Sequence, residues 1–157
     1  MPTQERIGLL VAVVRRRIRQ VTTALVREHG LSPQQFWTVV AIARGGELSL
    51  RELAERRRMD EPTACRVVDT LVRRRLVRSS PDPGDRRRSR LTLTTSGRVM
   101  AEELLPIAEE IAATVERGLS ESERAAVVTG LKKVIANLDL FEARKSANVT
   151  PAGREAS

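Results

Sequence analysis

The residues of this chain whose types and spacing allow chemistry are arginines and short polar side chains, and what they offer is recognition of a polyanion. Thr63, Arg66 and Thr70 recur at spacings of three and four, so a helix opening at Asp60 presents them on one face, close behind Pro62. Such side chains donate to bases or phosphates in a major groove about 12 Å wide. Asp85-Arg86-Arg87-Arg88 follows the turn sequence Pro81-Asp82-Pro83-Gly84, which places three arginines at a loop tip. A loop of that kind tracks phosphates or enters a narrow minor groove, where negative potential favours guanidinium. Bond-making chemistry is hard to assemble. A single histidine and a single cysteine supply no nucleophile, base and orienter, and no glycine-rich phosphate loop occurs.

Charge supports the same partner. The net charge is +8, with 7 basic and 3 acidic residues in 1–50, 13 and 7 in 51–90, and 8 and 10 in 91–157, so the excess peaks around the candidate residues. With 41% hydrophobic and 31% charged residues, a globular protein with a real core is expected. One cysteine excludes an internal disulfide and, with one histidine, argues against a Cys/His metal site; no cofactor is called for. The longest apolar run, Ile7 to Val14, is too short for a membrane span and precedes its basic cluster, the wrong order for an export signal. A reducing cytoplasm is the expected compartment. Aromatic residues at 2% argue against single-stranded nucleic acid, whose binding relies on stacking.

The elements that position these residues read as mainly α with a small β-wing. Residues 5–28 carry Ile7, Val11, Val14, Ile18, Val21 and Leu25 as a heptad-like seam, with Arg15, Arg16, Arg17 and Arg19 mostly off it. Gly30 closes that helix, and Ser32-Pro33-Gln34-Gln35 opens the next with a capping box. Phe36, Val39, Val40 and Ala43 form its inner face. Ser49-Leu50-Arg51-Glu52 is a second capping box, opening a helix with Leu50, Leu53 and Ala54 inward, and Asp60 caps a third that turns Ala64, Val67, Val68, Leu71 and Val72 to the core. Two short helices joined by a tight turn make a helix-turn-helix. Strands from Leu76 and over Arg90–Thr94 frame the arginine tip as a wing.

From Ser96 a helix with Val99, Leu104, Ile107, Ile111 and Val115 is expected to be kinked or interrupted at Pro106. Ser120 caps a last helix with Val128, Leu131, Ile135 and Leu138 in step. Residues 1–144 read as one domain: a DNA-binding lobe at 32–94, and dimerisation helices at 5–29 and 96–144. Residues 145–157 lack an apolar period and are expected to be a disordered tail.

The run Leu50 to Gly97, with Asp85-Arg86-Arg87, Val68-Asp69-x-Leu71 and Leu93-Thr94-x-x-Gly97, resembles the multiple antibiotic resistance regulator (MarR) family of bacterial transcription factors, and the likeness spans residues 5 to about 142. The resemblance implies a homodimeric winged helix-turn-helix repressor of a near-palindromic operator, its two recognition helices about one DNA turn apart. It implies that Arg87 enters the minor groove braced by Asp85 through a charge-assisted hydrogen bond, and that Ser49 and Arg51 approach phosphates. It also implies a small aromatic or anionic effector between the dimer layer and the lobe, for which Trp37, His29, Arg15 and Arg16 are the available residues. Arg75 departs from the pattern, standing where a glycine commonly follows the recognition helix. The triple arginines 56–58 and 73–75 add phosphate candidates in Arg58, Arg73 and Arg74. Cys65, on the recognition helix among basic residues, is an alternative trigger through oxidation, against the plainer reading of a buried or incidental thiol. Two other readings use the same basic surface: a protein-interaction scaffold with an acidic partner, and a nonspecific architectural DNA binder.

Overall fold

The computed structural model describes residues 6–148, and packing divides the chain into two units that meet at Val115 and Glu116. In chain order the first holds α1 (Ile7–Val26), a 3-10 turn (Arg27–His29), α2 (Pro33–Gly45), β1 (Leu48–Ser49), α3 (Leu50–Arg57), α4 (Glu61–Arg73), β2 (Val77–Pro81), β3 (Ser89–Leu93) and α5 (Thr95–Glu116). The second is built on α6 (Glu121–Asn148).

Local signals set the helix starts. Ser32, Ser49 and Ser120 each accept the backbone N–H three residues on, while the side chain at that third position accepts the serine's own N–H, as the capping boxes require. Asp60 Oδ1 accepts from the Thr63 N–H at 2.8 Å, and Pro62 stands in the first turn, where its missing N–H has no partner to lose.

The ends of α3 and α4 are less ordinary. Met59 N–H bonds the Ala54 carbonyl and Arg58 N–H that of Glu55; Leu76 N–H bonds Leu71 and Arg75 N–H bonds Val72. These are paired Schellman closures, which place one residue in the left-handed region, usually glycine. Here Arg58 (φ 49°) and Arg75 (φ 58°) occupy it. The departure at position 75 therefore leaves the cap geometry intact and shifts its strain onto an arginine.

The strands form one antiparallel sheet in the order β1-β3-β2, with Leu48 opposite Leu91 and Val77 opposite Leu93. Over it packs a core of Val26, Phe36, Val39, Ile42, Leu53, Val68, Leu71 and Leu104, so α5 shares the core of the lobe. Its buried stripe is Gly97, Ala101, Leu104, Ala108 and Ile111. Val99 and Val115 are exposed, and so is Val72, expected to face the core. Pro106 does not interrupt α5. Both it and Glu102, whose carbonyl would have taken the missing N–H, lie on the exposed side, so that oxygen is not left unpaired in the core. Gly97 allows the close approach of α5 to the sheet, since a Cβ there would sit 1.9 Å from the Leu76 carbonyl oxygen.

Most of the α1 seam faces outward: Ile7, Val11, Val14 and Val21 are exposed, and the helix gives the core Thr22 and Val26 instead. In the second unit Val128, Leu131, Ile135 and Leu138 are likewise exposed. The final helix carries Lys145 on to Asn148, which corrects the expected tail over those residues; the rest of that tail, 149–157, lies outside the described residues.

Candidate nucleic-acid interface

The α4 sequence is amphipathic because Ala64, Val67, Val68 and Leu71 bury one face and leave a polar one outward. On that face Thr63 Oγ1 donates to Asp60 Oδ2 at 2.9 Å, and Arg66 reaches Thr63 Oγ1 at 3.3 Å. Thr70 Oγ1 donates to the Arg66 carbonyl and accepts from Arg73 at 3.2 Å. Both threonine hydroxyls thus spend their proton within the helix, and the outward donors of the face are the exposed guanidinium groups of Arg66 and Arg73. Asp60 is held below the usual carboxylate range, first by the Thr63 N–H, so it stays ionised as cap and as acceptor.

The wing tip is a closed turn. Asp82 N–H bonds the Arg88 carbonyl, Arg88 N–H that of Asp85, and Asp82 Oδ1 accepts from Gly84 N–H at 2.7 Å and Asp85 N–H at 3.3 Å. Asp85 does brace position 87, but through the backbone: its Oδ1 accepts the Arg87 N–H at 3.0 Å. The guanidinium nearest its carboxylate is that of Arg88, Nε to Oδ2 3.9 Å. Arg86, Arg87 and Arg88 all remain exposed.

The phosphate candidates divide. Arg51 and Arg73 are exposed, Arg51 in an i,i+4 pair with Glu55, while the Ser49 hydroxyl is engaged as the α3 cap. Arg58 supplies a left-handed helix end. Arg74 is turned inward to the chain, its guanidinium donating to the carbonyls of Gly30 at 2.7 Å and His29 at 3.3 Å, which ties the end of α4 to the α1–α2 junction. Cys65 is exposed, which removes the buried-thiol reading, and its Sγ lies 3.7 Å from Asp69 Oδ2.

Of the four expected pocket residues, Arg15 and Trp37 line one cavity of about 600 Å³, together with Ile18, Arg19, Arg57 and Met59. Arg16 and His29 are not among its lining residues. His29 Nε2 instead faces Glu103 at 3.2 Å. Sequence reading missed Arg57, whose guanidinium carbon sits 5.6 Å from the Trp37 ring centroid. Its Nε is buried with no hydrogen-bond partner among the described residues, and burial pushes its pKa down. Within a run of three arginines nothing in the sequence singles it out; the one clue is its place on the inner side of α3, four residues after Leu53.

A helix-turn-helix with a polar, arginine-bearing second helix and a flanking arginine-tipped hairpin defines a winged helix-turn-helix DNA-binding protein. Residues 29–88 match the model of the MarR family. Across 135 residues, 83% of this chain and 83% of the relative, the sequence is 34% identical to the HTH-type transcriptional repressor NicR of Pseudomonas putida. The chain belongs to the MarR family, a family of transcription regulators. Its fold superposes on Bordetella bronchiseptica BpsR, whose DNA binding is regulated by 6-hydroxynicotinic acid, with a TM-score of 0.73 at 31% identity, covering 85% of this chain and 96% of that one. The S. aureus MepR–DNA complex shares the fold alone, with a TM-score of 0.77 at 23% identity over 86% of this chain and 99% of that one. Among the described residues no helix is long and apolar enough to cross a membrane.

Proposed function

We propose that this chain is a homodimeric, cytoplasmic transcriptional repressor that binds a near-palindromic operator and acts by binding alone, with no catalysis. The observation that carries the reading is the pair of separated basic elements on one lobe: the Thr63/Arg66/Thr70 face of α4 for a major groove, and Arg86–Arg88 for the adjacent minor groove. Arg51, Arg58 and Arg73 serve as flanking phosphate contacts, while Ser49 and Arg74 act through the fold. The dimer reading rests on exposed apolar side chains of α1, where Val13, Val14, Ile18 and Val21 line an apolar cleft of about 270 Å³ with Ile111 and Val115. Val13, Val14, Val21 and Val115 keep between 38% and 50% of their surface exposed, so covering each gains about half of the roughly 1.5–3 kcal/mol that full burial of an exposed side chain gives. The only histidine and cysteine lie on different elements and are each engaged with a carboxylate, which supports a non-enzymatic role.

The effector proposed is a small aromatic acid of the 6-hydroxynicotinic kind, on the strength of the likeness to BpsR. Trp37 offers the ring a face, and Arg57 and Arg15 offer its carboxylate a cation. An effector that weakens DNA binding is itself bound more weakly, by the same factor, when DNA is present.

The deciding experiment is selection from a randomised duplex pool at two salt concentrations, with specificity ratios as the readout. An inverted repeat with half-sites about one helical turn apart is expected. Binding without an enriched motif that collapses as salt rises would replace this reading with an architectural binder, and no binding at low salt would replace it with a protein scaffold.

A further inference from the structure

The wing carries an arginine that behaves differently from those of its tip. Arg90, on β3, is only partly exposed, and both terminal nitrogens are engaged: one donates to Glu47 Oε2 at 2.6 Å and the other to Asp82 Oδ2 at 3.2 Å. Asp82 is the residue whose other oxygen shapes the wing-tip turn through Gly84 and Asp85. Glu47 immediately precedes β1, and β1 leads through the Ser49 cap into α3, the first helix of the helix-turn-helix.

We propose that Arg90 is a positioning residue for DNA recognition, bracketing Asp82 at the base of the wing tip to Glu47 at the entrance of the helix-turn-helix. The inference rests on the DNA-binding reading above. The backbone alone holds these parts weakly, because β1 pairs with β3 at two positions only, Leu48 with Leu91 and Ser49 with Arg90. One planar guanidinium with two fixed forks adds the rigidity that so short a ladder lacks. Charge separates this role from that of a phosphate contact. One cation between two carboxylates leaves the bracket with a net charge of about −1, which repels a phosphate, and both terminal nitrogens already donate to a carboxylate. The arginines at 86, 87 and 88 thereby arrive at the duplex already aimed, so binding does not have to order them.

The test uses the full chain and the operator duplex recovered by selection, with affinity followed across several salt concentrations. R90Q is expected to weaken binding about two- to tenfold, the scale of two partly exposed ion pairs, with the salt slope unchanged. E47Q, although it removes a negative charge beside a polyanion, is expected to weaken binding as well, and E47Q/R90Q to be no weaker than R90Q alone. Tighter binding by E47Q overturns the proposal, as does a salt slope flattened in R90Q by about 0.9, the signature of one lost phosphate contact. In the free protein, amide exchange at Gly84 is expected to quicken in R90Q, because Asp82 is no longer held. Unchanged exchange overturns the bracket whether or not DNA is bound, whereas a wild-type chain that binds no duplex at all removes the DNA-binding reading instead.

Discussion

Arg75→Gly should make the protein more stable. Arg75 holds the left-handed residue of the closure after the recognition helix, at φ 58°, a conformation that costs an L-residue about 1–2 kcal/mol. Glycine relieves that strain but gives back about 0.4–1 kcal/mol through the greater freedom of the unfolded chain. The net gain is about 0.5–1 kcal/mol, or a rise in Tm of about 1–4 °C for a chain of this length. The closing hydrogen bonds survive because they use backbone alone, including the Arg75 carbonyl that accepts Thr94 Oγ1 at 2.6 Å. Arg75→Ala is the control, since it removes the guanidinium and keeps the strain. Urea melts at one fixed protein concentration are the assay, because self-association makes the midpoint concentration-dependent. The reasoning is refuted if Arg75→Gly is no more stable than Arg75→Ala. If the exposed guanidinium meets a phosphate, both variants lose DNA affinity equally and lower the salt slope by about 0.9.

Three further outcomes follow from the site and its supports. Gly97→Ala should destabilise by about 1–3 kcal/mol or more, read by the same melts, because the new Cβ meets the Leu76 backbone and not a yielding side chain. Acid should weaken the lobe: Glu52, Asp60 and Asp82 are each held below the ordinary carboxylate range by backbone N–H groups, so the stability they contribute is complete above the ordinary values of 4.5 and 3.8 and is lost as pH falls below them. A melt series through that window in which Asp60→Asn loses as much stability on acidification as wild type would count against Asp60's share. Arg57→Gln should abolish release of DNA by 6-hydroxynicotinic acid while leaving DNA affinity without effector within about twofold, since its side chain faces the cavity; an unaltered effector response in competition binding would clear Arg57 of that role.

What was legible in the sequence was what depends on near neighbours. Capping boxes at Ser32, Ser49 and Ser120 span four residues each, and the wing turn is written in Pro81 to Gly84, so local hydrogen bonding fixes them wherever the chain goes. The recognition face followed from helical spacing once Asp60 fixed the start. What escaped depends on distant partners. The two-residue strand β1 exists because β3 lies beside it, and Arg90 finds Glu47 43 positions away. Arg74 reads as a phosphate ligand until the Gly30 carbonyl, 44 positions earlier, is seen beneath it. For α5 the helix was legible and its buried face was not: a small-residue stripe through Gly97, Ala101 and Ala108 lets the helix approach closely, and hydrophobicity counts alone pass over such residues.

Trp37 is the only tryptophan of the chain, and no tyrosine accompanies it. Excited at the red edge of indole absorption, the protein therefore emits from one place, the wall of the cavity where Arg57 lies over the indole. A cation at that distance perturbs the excited state, so any displacement of Arg57 changes colour or yield without a label. The proposed DNA contacts lie on α4 and the wing, whereas this fluorophore reports from the junction of α1, α2 and α3. A change of emission on adding duplex would thus be a direct optical record of communication between the two places, obtained from the native protein in a cuvette.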